Sequence, residues 1–211
     1  MLRILKEERR MKIVKQIKNI IFDMGNVLLQ FNPYISLDYY CENEEDKKII
    51  YQELFKGPEW IMGDEGKITN GQRYELVKMR VPERLHRTLK MVVENWDMCM
   101  EPVEGALEFY KHVKEKGYRT YVLSNACNRF YNYFPKHYDL KSFEGVVVSS
   151  DVKMIKPNPA IYEYILKRYH LNPEECLFID DVEANIKAAE EAGIKGFVFK
   201  NNYGELKDLL G

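Results

Sequence analysis

Asn19-Ile20-Ile21-Phe22-Asp23-Met24-Gly25-Asn26-Val27-Leu28 decides how the chain is to be read. Three consecutive large apolar residues end abruptly in a carboxylate, and a glycine and an asparagine then break the run. Continuous rather than alternating hydrophobicity marks a strand covered on both faces, as in a parallel sheet with helices on each side. Four further runs share the pattern: Thr120 to Asn125, Val146 to Ser150, Cys176 to Asp181 and Gly196 to Lys200. The segments between them have helical spacing. Ala106, Tyr110 and Val113 precede Gly117, and Ile161, Ile165, Leu166 and Tyr169 follow Pro157 and Pro159. Ala184, Ala188 and Ala192 recur before Gly193, which reads as a helix-ending glycine. Strands alternating with helices predict an α/β fold, a doubly wound parallel sheet.

Outward from this core, residues 32–100 contain no comparable strand run. Their helical stretches run from Ile35 to Cys41, Glu45 to Phe55, Gln72 to Met79 and Glu83 to Met98. A crossover between parallel strands needs only about a dozen residues, so this interval is expected to hold an inserted α-helical module. The expected organisation is a basic leader over 1–18, a core made of 19–31 and 101–211, and the helical insertion over 32–100. The leader carries Arg3, Lys6, Arg9, Arg10, Lys12, Lys15 and Lys18, with a second methionine at Met11, and reads as a solvated arm.

The chain has 211 residues, 45% apolar and 31% charged, and 32 basic against 33 acidic side chains leave a formal net charge of −1. That balance lacks the basic footprint that phosphate-backbone binding requires, so nucleic acid is not an expected partner. Cys41, Cys99, Cys127 and Cys176 are far apart in sequence and form no zinc-type spacing with the four histidines. Reduced thiols and a cytoplasmic setting are expected. No apolar run reaches the length of about 20 residues that a membrane helix needs, so no membrane partner is expected.

In an open α/β sheet the ligand crevice lies beyond the carboxyl ends of the strands. Those ends carry Asp23, Ser124 with Asn125, Ser149 with Ser150, and Asp180 with Asp181, and Lys156 follows the third of these runs. Any one polar residue there is explained by ordinary strand capping. Three carboxylates, hydroxyls and a lysine on one edge are harder to explain that way. Clustered anions raise one another's pKa unless a cation offsets them, and hard oxygen ligands suit Mg²⁺.

Taken together these motifs resemble the haloacid dehalogenase-like superfamily, and within it the capped phosphatases of the glucose-1-phosphate type. The resemblance rests on Ile21-Phe22-Asp23-Met24-Gly25-Asn26-Val27-Leu28, Val122-Leu123-Ser124-Asn125, Lys156-Pro157-Asn158-Pro159, and Phe178-Ile179-Asp180-Asp181 with Asn185, in that order. It implies a Rossmann-like core and a Mg²⁺-dependent phosphatase acting on a small phosphorylated metabolite such as a sugar phosphate. Asp23 would be the nucleophile that forms an aspartyl-phosphate. Ser124 and the backbone around Asn125 would hold phosphoryl oxygens, and Lys156 would neutralise charge. Asp23, the Gly25 carbonyl and Asp181 would hold Mg²⁺, with Asp180 acting through water or a hydrogen bond and Asn185 supporting the metal loop. Lys153 competes for the role of Lys156 but lacks the following proline.

Gly25 stands where many members carry the aspartate that protonates the leaving oxygen. Its loss would favour esters with good leaving groups, such as sugar 1-phosphates and aryl phosphates. The helical insertion resembles the family's cap. Trp60, Asp64 and Glu65, at or near the glycine-rich turn from Met62 to Thr69, are the residues expected to contact the substrate beyond its phosphate. Two alternatives accompany this reading. One is a non-catalytic phosphosugar-binding or partner-binding module that has lost turnover through Gly25. The other is a 2-haloacid dehalogenase, which would need a cap arginine soon after the nucleophile, where none occurs before Arg73.

Overall fold

Along Asn19–Phe22 (β1) all four residues are buried, and period-two alternation sends them to opposite layers. Ile20 and Phe22 join an apolar cluster with Phe109, Val113 and Leu206, while Ile21 joins Tyr121, Phe178, Ile161 and Ile165 on the other face. This is why the run reads as continuously apolar. The computed structural model describes residues 16–211. Residues 1–15, which hold most of the expected basic leader, lie outside the described residues. Lys18 is within them and pairs with Glu175 at 2.6 Å.

The sheet is parallel, with order β5-β4-β1-β6-β7, where β4 is Arg119–Ser124, β5 Gly145–Val148, β6 Cys176–Asp180 and β7 Lys195–Val198. The strand carrying Asp23 is central, between the strands carrying Ser124 and Asp180 (Phe22 aligns with Val122 and Ile179). Three strand ends therefore meet at one edge. Helices Ala106–Glu115 and Tyr203–Leu210 cover one face, and Pro159–Arg168 and Glu183–Glu191 the other. The last of these buries Asn185, Ile186, Ala188 and Ala189, whereas Ala184 faces solvent. Of the alanine series, Ala188 is buried and Ala192 packs against the same cluster, so only Ala184 lies off the packed stripe. Gly193 does end this turn, at φ 83°, a left-handed geometry that glycine adopts without a Cβ penalty.

The interval between the first two core strands is helical, and its base is a short antiparallel pair that the sequence pattern does not announce. Leu29–Phe31 (β2) pairs with Met100–Pro102 (β3), Phe31 facing Met100. Between them lie helices Tyr34–Tyr40, Glu44–Ile50 with a continuing π turn Tyr51–Phe55, Pro58–Asp64, Asn70–Lys78 and His86–Asn95. Asn43 caps the second helix, and Thr69 with Gln72 forms a capping box on the fourth. The turn expected from Met62 onward begins only after Asp64, since Pro58 opens a helix there. Leu37, Leu54, Val77, Leu89 and Trp96 from this interval share one continuous cluster with Phe22 and Val122 of the sheet. No helix among the described residues is long and apolar enough to cross a membrane.

Candidate active site

The loop after β1 doubles back within a few residues. Leu28 and Leu29 N–H both donate to Met24 O at 2.9 Å, and Asn26 turns at φ 54°. Tyr203 OH donates to Val27 O and Tyr138 OH to Leu28 O, which pins the loop from the core side. Asp23 is buried at its start. Its backbone N–H continues the sheet to Ile179 O at 2.8 Å, and one carboxylate oxygen accepts from Met24 N–H at 2.7 Å.

Lys156 comes to Asp23 from the loop after β5. Its Nζ lies 2.8 Å from Asp23 Oδ1 and 2.7 Å from Asp180 Oδ2, with all three residues buried. Asn125 fixes that loop: its side chain accepts from Lys156 N–H at 2.8 Å and donates to Lys156 O at 3.0 Å. The asparagine side chain is thus committed to holding the lysine, which leaves the backbone around it for other partners. Lys153, the competing lysine, donates instead to Gly66 O at 2.6 Å, in the helical insertion.

Asp180 and Asp181 have different surroundings. Asp180 accepts from Val182 N–H, from Asn185 Nδ2 on both oxygens, and from Lys156. Asp181 is less buried and accepts from Asn26 Nδ2 at 3.0 Å. Carboxylate oxygens of Asp23, Asp180 and Asp181 lie within 4.8 Å of one another. Oxygens at that spacing suit a small hard cation with ligands at about 2.1 Å, and a carboxylate set is the donor chemistry Mg²⁺ takes. Burial raises the pKa of Asp23 above the usual carboxylate range. The Lys156 ammonium opposes that rise, and Asp180 and Asp181 add to it. Lys156 is held above the ordinary lysine value: burial works against its charge, but Asp23 and Asp180 outweigh it. Ser124 Oγ is buried at the end of β4 and has no hydrogen-bond partner among the described residues, so this hydroxyl has hydrogen-bonding capacity to offer a ligand.

Beside Gly25 a cavity of about 160 Å³ opens between the sheet edge and the insertion. Met24, Gly25 and Asn125 form its sheet side, and Trp60, Asp64 and Trp96 belong to the insertion. Four aromatic rings line it: Phe31 stacks on Trp60 with centroids 5.2 Å apart, Trp60 meets Trp96 at 5.1 Å, and Trp96 meets Tyr133 at 5.6 Å. Of the three residues expected to contact substrate, Trp60 and Asp64 line this cavity. Glu65 does not, and pairs with Lys67 at 2.8 Å. Ser149, expected at a strand end, opens the short helix Ser149–Val152. Its Oγ donates to Asp64 O at 2.5 Å and accepts from Ala126 N–H, joining insertion to core.

Two residues of this region were not singled out from the sequence. Asn26 holds Asp181, and its position four residues after a buried strand, in a turn needing positive φ, was the available signal. Arg73 is buried beneath Trp60, its guanidinium 4.6 Å from the ring and bonded to Glu59 O and Asn70 Oδ1. Nothing in the local pattern of a polar helix distinguishes it.

Known proteins resemble this chain. The chain is 26% identical over 201 residues to the sesquiterpene phosphatase of Aspergillus oryzae, covering 92% of this chain and 97% of that protein. It is 28% identical over 192 residues to the phosphorylated carbohydrates phosphatase of Thermotoga maritima, covering 88% of each. A HAD family enzyme from Bacteroides thetaiotaomicron, solved as a magnesium complex, superposes with a TM-score of 0.70 at 25% identity over 91% of this chain and 98% of that one. The family model for haloacid dehalogenase-like hydrolases matches residues 17–193, from the edge of β1 to the glycine that closes the helix after Asp181, and the chain belongs to that family.

Proposed function

We propose that this hydrolase cleaves a small phosphate monoester with Mg²⁺, by way of an aspartyl-phosphate on Asp23. The observation that carries the reading is the Asp23–Lys156–Asp180 contact beside Asp181, with the three carboxylates within 4.8 Å of one another. Asp23 attacks phosphorus and the ester oxygen departs. Water then attacks the same phosphorus and restores the carboxylate, so one hard displacement becomes two easier ones. Lys156 balances the charge of the nucleophile and of the phosphoryl group, and Ser124 Oγ donates to a phosphoryl oxygen. Asp180 positions Lys156 and the Asp181 turn. Asp181, Asp23 and the Gly25 carbonyl are the donors for Mg²⁺, which supplies positive charge to offset the clustered anions and the phosphate.

We treat residues 32–100 as a cap whose Trp60 and Asp64 face the leaving group. A phosphorylated sugar is one substrate reading, and the carbohydrate phosphatase relative supports it. The aromatic walls support a second, a phosphate ester of a compact apolar alcohol or phenol, in line with the sesquiterpene phosphatase relative. Dehalogenation fits less well, because Arg73 is committed to Glu59, Asn70 and Trp60. Four buried free cysteines suit the cytoplasm. A panel of sugar, aryl and alkyl phosphates assayed with Mg²⁺ and with chelator, beside Asp23→Asn, tests the reading. Mg²⁺-dependent phosphate release lost in the variant supports it, and release from no ester points to a binding module.

A further inference from the structure

The loop after the nucleophile offers no acid, because Gly25 has no side chain, yet one carboxyl does face the cavity beside it. Asp64 is the last residue of helix Pro58–Asp64 and the only carboxyl among the cavity-lining residues, which otherwise comprise aromatic rings, Met24, Met100, Gly25, Asn125, Ala126 and Cys127. It is partly exposed, as a residue lining a cavity must be, while protein surrounds most of its carboxyl group. Its backbone is fixed to the core through Ser149 Oγ at 2.5 Å. No ion pair reaches its side chain among the described residues. The nearby cation, Arg73, donates to Glu59 O, Asn70 Oδ1 and Trp60 O.

We propose that Asp64 is the general acid of the reaction, supplied from the helical insertion in place of the missing side chain at position 25. The assignment rests on the phosphatase reading given above. In the first step the Asp23 Oδ–P bond forms, the P–O bond to the leaving group breaks, and the Asp64 carboxyl proton moves to the departing oxygen, giving the free alcohol and the Asp64 carboxylate. In the second step that carboxylate takes a proton from the attacking water. The new P–OH bond forms as the Asp23–phosphate bond breaks, and both residues return to their starting forms.

The surroundings favour the protonated form of Asp64 relative to an exposed carboxyl. Burial raises its pKa to about 7, with the Arg73 charge and the Cys127 backbone N–H pulling it down only in part. The other titratable groups facing it do not replace it as donors. Burial raises the Cys127 thiol above its ordinary value and the Tyr133 hydroxyl well above its own, and Arg129 is paired with Asp97. A carboxyl that titrates near neutrality is well placed both to give a proton and to take one.

The test compares Asp64→Asn and Asp64→Glu with wild type on two esters compact enough to try in this cavity. One is 4-nitrophenyl phosphate, whose leaving group departs readily as an anion, and the other is benzyl phosphate, whose alkoxide needs a proton. Folding is checked by circular dichroism and thermal melting. The assignment predicts that Asp64→Asn lowers kcat/KM for benzyl phosphate by about 10²- to 10⁴-fold and for the nitrophenyl ester by far less. It also predicts that the alkaline limb of the benzyl phosphate pH profile disappears, and that Asp64→Glu restores part of the rate. An equal loss on both esters, or none on either, would overturn it. If wild type hydrolysed neither ester, the same variants are compared on the sugar and alkyl phosphates of the panel above, and release from none of them would overturn the phosphatase reading and the acid assignment with it.

Discussion

Lys156 Nζ and Asp180 Oδ2 lie 2.7 Å apart in full burial, one on the loop after β5 and the other at the end of β6. The bond closes the sheet edge across Asp23, which touches the same ammonium at 2.8 Å. Asp180 is therefore occupied on both oxygens, while Asp181 next to it is held by Asn26 alone among the described hydrogen bonds. Asp180→Ala should then act mainly on stability. Removing one partner of a buried pair costs about 3–5 kcal/mol, read as a lowered midpoint in chemical denaturation. Asp181→Ala should leave the midpoint within about 1 kcal/mol and instead raise the Mg²⁺ concentration needed for half-maximal rate. A larger Mg²⁺ effect at Asp180 would reverse the two assignments.

Gly25 can accept a side chain. A Cβ built there meets only Asp23 Oδ2, at 3.9 Å, and φ lies outside the left-handed region. Gly25→Asp should fold, and in the Asp64→Asn background it should recover part of the benzyl phosphate rate by restoring an acid beside the nucleophile. The readout is kcat/KM for the double variant against Asp64→Asn alone. A folded double variant with no recovery would show that position 25 does not address the leaving oxygen.

The raised pKa of Asp64 has a cost in stability. Between the unfolded value of 3.8 and the folded value of about 7, the folded chain binds more protons than the unfolded one. Stability from this group is therefore fully present below pH 3.8 and declines as pH rises towards 7. The shift corresponds to at most about 4 kcal/mol at 1.36 kcal/mol per unit, and water in the cavity will reduce it. Asp64→Asn removes this slope, so the difference in melting temperature between variant and wild type should grow in the variant's favour from about pH 5 to pH 8. A constant difference across that range would mean that Asp64 is already ionised in the folded chain.

Much of the sheet was legible because burial on both faces leaves a direct mark. Ile20, Ile21 and Phe22 form an unbroken apolar run because neither layer meets water. The order of the strands makes the site legible too, since Asp23, Ser124 and Asp180 end three adjacent parallel strands. The pair Leu29–Phe31 and Met100–Pro102 was not readable, because its partners are about 70 residues apart in sequence and each strand is too short for periodicity to register. Glycines near Gly63 and Gly66 suggested a loop, but Pro58 starts a helix that carries Trp60 and Asp64 to the cavity. The resemblance of the insertion to a cap led to the expectation that both residues contact the substrate. It gave no sign that Asp64 would be alone among aromatic rings, which depends on Phe31, Trp96 and Tyr133 arriving from three separate segments.

Asp23 as the nucleophile makes the plainest demand. Phosphate release by wild type and by Asp23→Asn, measured on the same esters with Mg²⁺ and again with chelator, should show turnover in wild type alone and only with the metal. The loss in a folded variant should be on the order of 10⁴-fold or more. A folded Asp23→Asn variant that released phosphate at the wild-type rate would contradict the covalent route, and so would wild-type turnover indifferent to chelation contradict the metal assignment.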